Sequence, residues 1–226
     1  YTTIDKPSDY FNTKLYTGNA TNPTTISGVG FQPDWVWTKS RSATEGHRWC
    51  DSVRGATKDL LSNTTSAEST NTIGLKSFNS DGYVIGNSNG YNQNSQTFVS
   101  WNWKKSATAG FDIVSFTTSG DDENFSHSLG VKPELIIFKA RASSGNWAVL
   151  GEFAETTFNN KYMVLNLTDA QGSDGSYSNP TASQFSTSNN VAVDSTHIAY
   201  LFRSVQGFSK IGSYTGNGNA DGTFVY

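Results

Sequence analysis

The chain is poor in cysteine and in charge. Cys50 is the one cysteine among 226 residues, so no disulfide closes within the chain. With no second thiol and no cysteine–histidine cluster, a structural zinc site lacks its ligands. Charged residues make up 15% of the chain, and the formal net charge is −3. Without a basic run or an arginine stripe, the electrostatic footprint of a nucleic-acid binder is missing. No apolar run approaches the ~18–20 residues of a membrane-spanning helix, and the start carries no signal-peptide pattern. Tyr1 in place of methionine reads as a processed chain or part of a longer one. Amphipathic helical stretches are missing too, which argues against a helical bundle or a parallel α/β fold. No Gly-X-Ser-X-Gly elbow, phosphate loop or His-Glu-X-X-His string occurs. Neither a cofactor nor a metal is implied.

What is present is β-forming. Aromatic residues reach 13%, set among glycine, serine, threonine and asparagine, and they pack well on pleated faces. The chain also repeats itself at a spacing of about 100 residues. Gly30, Pro33, Lys39 and Arg41 have partners at Gly130, Pro133, Lys139 and Arg141; Phe11 and Tyr16 have partners at Phe111 and Phe116. Val99 to Lys104 lines up with Ile198 to Arg203, and Tyr214-Thr215-Gly216-Asn217 echoes Tyr16-Thr17-Gly18-Asn19. The expected units are 8–105 and 109–204, with 208–226 as the start of a third unit or a terminal strand.

Strand signals come in short bursts. Trp35 to Lys39 and Leu135 to Lys139 each follow a proline and are nearly continuous in apolar residues, as in central strands covered on both faces. Thr97 to Lys104 alternates, with Val99, Trp101 and Trp103 on one face. Asn79-Ser80-Asp81-Gly82 reads as a turn between strands. Gly55 to Leu61 is the one stretch that could be helical. The expected fold is all-β: two tandem antiparallel β-sandwiches of jelly-roll or concanavalin-like type. Fusion of the two into one larger assembly stays open.

Four motifs in order carry a resemblance: Phe31 to Arg41, His47 to Gly55, Ser77 to Tyr83 and Val99 to Lys104. Together they resemble a domain that recurs, often in tandem, in large virion and tail-fibre-like proteins of marine bacteriophages. The resemblance covers the first unit nearly end to end. In the second unit the His-Arg-X-X-Asp-Ser-X-Arg-Gly string is lost and Asn189-Asn190 stands for the Asp-Gly turn. The resemblance implies a phage structural or receptor-binding protein in the virion, with host glycans and other virion proteins as partners. Homotrimers are common among such fibres. It carries over no catalytic residue.

The densest polar cluster is Arg41, His47, Arg48, Asp51 and Arg54, interleaved with Trp49. As a pocket, its cations would donate to sugar hydroxyls while the indole stacks on a ring. As a structural clamp, Asp51 and Arg54 would hold a loop down through charge-assisted bonds. Tyr91 and Tyr177 lie in asparagine- and serine-rich loops, which fits either rigid anchors on a recognition surface or solvated loops. Trp101 and Trp103, with Trp35 or Trp37, form either a sugar-gripping platform or core. Asp121-Asp122-Glu123 is an acidic hairpin tip or a weak calcium ligand set. A glycosidase would need two facing carboxylates, for which Glu45 with Asp51 and Glu152 with Glu155 are the candidates. His47, His127 and His197 are scattered. The expectation is a non-enzymatic adhesion module with weak repeated sites, a purely architectural spacer or decoration, or a depolymerase domain. The lack of disulfides suits synthesis in bacterial cytoplasm and work outside it.

Overall fold

The computed structural model describes residues 2–120, 123–151, 161–173, 177–187 and 195–224. Strands of the first half are β1 (Phe11–Thr17), β2 (Thr24–Ser27), β3 (Trp35–Ser40), β4 (Arg48–Asp51), β5 (Lys58–Leu61), β6 (Ser69–Thr70), β7 (Leu75–Asn79), β8 (Gly82–Ile85) and β9 (Thr97–Trp103). Those of the second are β10 (Phe111–Thr118), β11 (Asn124–Ser126), β12 (Leu135–Ala140), β13 (Ala148–Gly151), β14 (Lys161–Val164), β15 (Gly172–Ser173), β16 (Gln184–Ser186) and β17 (Ser195–Phe202).

Each half builds one six-stranded sheet, ordered β1-β9-β3-β4-β5-β6 and β10-β17-β12-β13-β14-β15. The orders correspond strand for strand. A three-stranded sheet, β2-β8-β7, belongs to the first half and a two-stranded pair, β11-β16, to the second. Neighbouring strands are antiparallel throughout.

Alternation along the strands decides the layering. In β3, Trp35 and Trp37 face one way and Val36 the other. Trp35, Trp49 and Leu60 of the first large sheet join Phe111, Ile113, Ile198 and Tyr200 of the second in one buried cluster, with Trp147 between them. The two large sheets therefore lie face to face. Val36 and Cys50, on the reverse of the first sheet, pack with Ile26, Leu75, Tyr83 and Ile85 of the small sheet. Ile136, Phe138 and Leu201, on the reverse of the second, pack with Phe116 and Phe185. Each half is thus a β-sandwich, and the two sandwiches are pressed together as four layers.

The seam between the large sheets is aromatic. Trp35 stacks on Trp103 at 4.1 Å between ring centroids and meets Trp49 edge-on at 4.5 Å. It reaches the second half through Tyr200 at 4.9 Å, and Trp49 does so through Trp147 at 4.7 Å. Such pairs add about 0.5–1.5 kcal/mol each beyond area burial.

Two local expectations change. Residues 55–61 form no helix: Gly55 and Thr57 have φ of +92° and +69°, and Lys58 to Leu61 become strand β5, paired with β4. A one-turn helix instead covers Asn89–Asn92. The turn at Gly82 is as expected, with φ +145°. A Cβ there would lie 2.0 Å from the Ile26 carbonyl oxygen. Asn189-Asn190 lies outside the described residues. No strand follows Phe202 among the described residues. Entry and exit of the folded body meet. Ile4, Ala109 and Val205 share a small cluster with Tyr10 and Phe208, and a Cβ at Gly207 would lie 2.1 Å from Thr2.

Candidate functional site

Strand alternation splits the polar cluster of the first half between two faces. Trp49, Asp51 and Arg54 point into the seam and are buried. Arg54 Nε donates to Asp51 Oδ2 at 2.5 Å, and its remaining N–H groups reach the Trp49 and Lys58 carbonyls, the Glu68 carboxylate and the Tyr200 hydroxyl. Burial alone would depress the guanidinium, and the Asp51 carboxylate together with Tyr200 and Cys50 more than offsets it, so Arg54 stays charged. Glu68 then takes Arg141 of the second half in a bidentate pair at 2.9 and 3.0 Å. The chain Tyr200–Asp51–Arg54–Glu68–Arg141 is a clamp. It closes the seam between halves rather than a loop.

Arg48 points the other way. Its Nη1 donates to Asp59 Oδ2 at 2.9 Å, Glu45 lies 3.6 Å from Nη2, and the guanidinium sits 5.5 Å over the Tyr91 ring. Tyr91 is 1% exposed, and its hydroxyl donates to Asp59 Oδ1 at 2.5 Å. It is a core residue and not a loop anchor. His47 is half-buried, and its Nδ1 accepts from Trp37 Nε1 at 3.2 Å. Burial, helped by Lys39, pushes its pKa down. Arg41 is exposed. These residues do not converge on one pocket, because neighbours along a strand cannot share a face.

The tryptophan platform is only partly covered: Trp35 is buried in the seam, while Trp37, which packs on Trp49 and Trp101, and Trp103, which packs on Phe11 and Phe111, are half-buried, as is Trp101. Glu45 and Asp51 are on opposite faces of the sheet, each held by an arginine, so they do not form a carboxylate pair. Glu152 and Glu155 lie outside the described residues, as do Asp121 and Asp122. Glu123 is engaged by Ser119.

The second half differs at the outer-face position that Arg48 fills. There Ala148 occupies the register of Arg48, opposite Val164 as Arg48 is opposite Leu61. Tyr162 takes the place of Asp59. A cavity of about 480 Å³ results, bounded by Phe138, Ala148, Tyr162, Tyr177, His197 and Asp169 among others. Tyr177 is 8% exposed and forms a wall, with its ring centroid 6.1 Å from Phe138 and 6.5 Å from Tyr162. It too is packed rather than displayed on a loop. His197 stacks on Phe116 at 5.2 Å just as Phe98 stacks on Tyr16 at 5.2 Å. Its Nδ1 lies 2.9 Å from the Ser195 carbonyl oxygen, and its buried Nε2 has no hydrogen-bond partner among the described residues. Burial, together with the nearby Lys139, keeps the ring pKa down despite that carbonyl contact. Lys139 itself is pushed down to about 8 by burial, and its ammonium ties the 140–143 turn at the rim through the Ala140 and Ser143 carbonyls.

The family model for this architecture spans residues 6–226, across both halves. The chain belongs to the family described as Domain of unknown function (DUF7483). No curated protein and no solved structure matches it. Because one model covers both sandwiches, the DUF7483 unit is wider than the unit of about 100 residues read from the internal spacing.

Sequence reasoning missed the cavity. The signal was there as paired differences between halves: Ala148 for Arg48, Tyr162 for Asp59, His197 for Phe98. Lining up the halves by strand exposes them; a search for dense polar clusters does not.

Proposed function

We propose that this DUF7483 chain is a non-catalytic decoration module of a bacteriophage-type surface assembly, a tandem pair of related sandwiches acting as one rigid body. The observation that carries this reading is the meeting of entry and exit at Ile4, Tyr10, Val205 and Phe208. A body whose ends emerge together projects sideways from whatever carries it, whereas a linear spacer has its ends apart. Rigidity is supported by the aromatic seam and by the buried clamp from Tyr200 to Arg141. The phage assignment rests on the motif resemblance at His47 to Gly55 and its companions. Antibodies raised against the module and imaged on intact particles by negative-stain microscopy test it. Regular labelling of the particle surface is expected; label confined to the soluble fraction of infected cells would overturn it.

A second reading, adhesion to host glycans, is favoured by one observation. The second half keeps an open, aromatic-walled cavity at the place where the first half is closed by Arg48.

A further inference from the structure

The cavity of the second half has features that packing alone does not require. Its volume of about 480 Å³ falls in the range of small-ligand sites, about 300–1,000 Å³. The same register in the first half shows how this fold closes the space, with one arginine on one aspartate beneath a tyrosine. Replacing that set by Ala148 and Tyr162 removes both charges and leaves Phe138, Tyr162 and Tyr177 lining the cavity. Phe138 and Tyr162 stand at 62° and 51° to Tyr177, so the rings form an angled wall rather than a stack closed on itself.

Polar groups sit at separate points around this wall. Asp169 lines the mouth and is exposed. Asn146 lines it too; its Oδ1 accepts from Asn166, which leaves its NH₂ to donate. Ser144 adds an exposed hydroxyl beside them. His197 also lines the cavity, and its buried Nε2, without a hydrogen-bond partner among the described residues, stands where the first half has Phe98. An unpaired buried polar atom costs stability, and a phenylalanine would spare that cost. Among the described lining residues Asp169 is the one carboxylate and none is a cation, and the nearby Lys139 ammonium is engaged by the Ala140 and Ser143 carbonyls, so the described lining disfavours anions.

Apolar ring walls, an acceptor carboxylate, a donor amide and a hydroxyl at spaced positions match a ligand that is flat and apolar on its faces and rich in hydroxyls on its edge. We infer that the Phe138–Tyr162–Tyr177 cavity binds one or two neutral pyranose units of a glycan. The rings take the C–H faces, and Asp169 and Asn146 take the hydroxyls. A quaternary ammonium, which also favours aromatic walls, would leave the spaced rim donors unused. The inference rests on the adhesive reading, and its failure alone would leave the decoration reading intact.

Saturation-transfer NMR on the whole chain, with methyl glycosides of glucose, galactose, mannose and N-acetylglucosamine at millimolar concentration, tests it. Transfer to at least one glycoside is expected. Ala148→Arg combined with Tyr162→Asp restores the closed set of the first half and should abolish transfer. Asp169→Asn, on the exposed rim, should weaken binding at least ten-fold with an unchanged melting temperature, and it decides the matter should the double variant not fold. Silence with all four glycosides, undiminished binding in a folded double variant or in Asp169→Asn, or displacement by tetramethylammonium would overturn the inference. So would binding of methyl glucuronide as tight as that of methyl glucoside.

Discussion

The Tyr200 hydroxyl donates to Asp51 Oδ2 at 2.7 Å, and the two residues come from different halves of the chain. Both are buried. Tyr200→Phe removes the donor and keeps the ring, and should cost about 1–3 kcal/mol. Asp51→Ala removes the direct counter-charge of buried Arg54 and leaves it a Glu68 already shared with Arg141, and should cost more, about 3–5 kcal/mol. Denaturant unfolding followed by tryptophan fluorescence ranks the two.

Acid should weaken the seam through Glu68. Burial by itself would raise that carboxyl, but the Arg141 hydrogen bonds and the Arg54 charge hold it below the ordinary glutamate range. A carboxylate depressed on folding contributes stability above its unfolded pKa, about 4.3, and that contribution is lost as pH falls through the lower folded value. Melting temperature should therefore drop below about pH 4.3, and Glu68→Gln should flatten that limb while lowering stability at neutral pH.

Cys50 should be silent in the folded protein. Its Sγ lies 3.1 Å from Asp59 Oδ1 and is fully buried. Burial, aided by that carboxylate, pushes the thiol pKa well up. Ellman's reagent at pH 8 should label no thiol until denaturant is added, and one thiol afterwards.

Two glycines with positive φ should respond differently to alanine. Gly130 has open space where a Cβ would go, so Gly130→Ala pays the left-handed strain of about 1–2 kcal/mol. Gly82→Ala also drives a methyl into the Ile26 carbonyl and should be the more destabilising of the pair. Parallel thermal melts settle the order.

Much of the fold was legible in the chain. Pro33 and Pro133 introduce apolar runs that became β3 and β12, central in their sheets. The alternation of Thr97 to Lys104 placed Trp101 and Trp103 on one face. What covers that face was not legible, because a strand of tryptophans looks the same against solvent sugar as against a second sheet. The Arg41–Arg54 cluster misled for a related reason. Closeness in sequence suggested a pocket, while the two-residue period of β4 sent Arg48 and Trp49 to opposite sides. The cavity escaped notice because it is made by subtraction: alanine and tyrosine where the other half has an ion pair.

The clasp formed by Tyr10 on Phe208 bears on how the module meets force. Tension along a longer polypeptide that carries it would run from residues 2–10 straight to residues 205–208, through the Ile4, Ala109 and Val205 contacts. The four sheets hang outside that load path. A tug on the backbone would have to open the clasp before any strand felt strain, so the bulb is shielded from stretching by the neck that holds it.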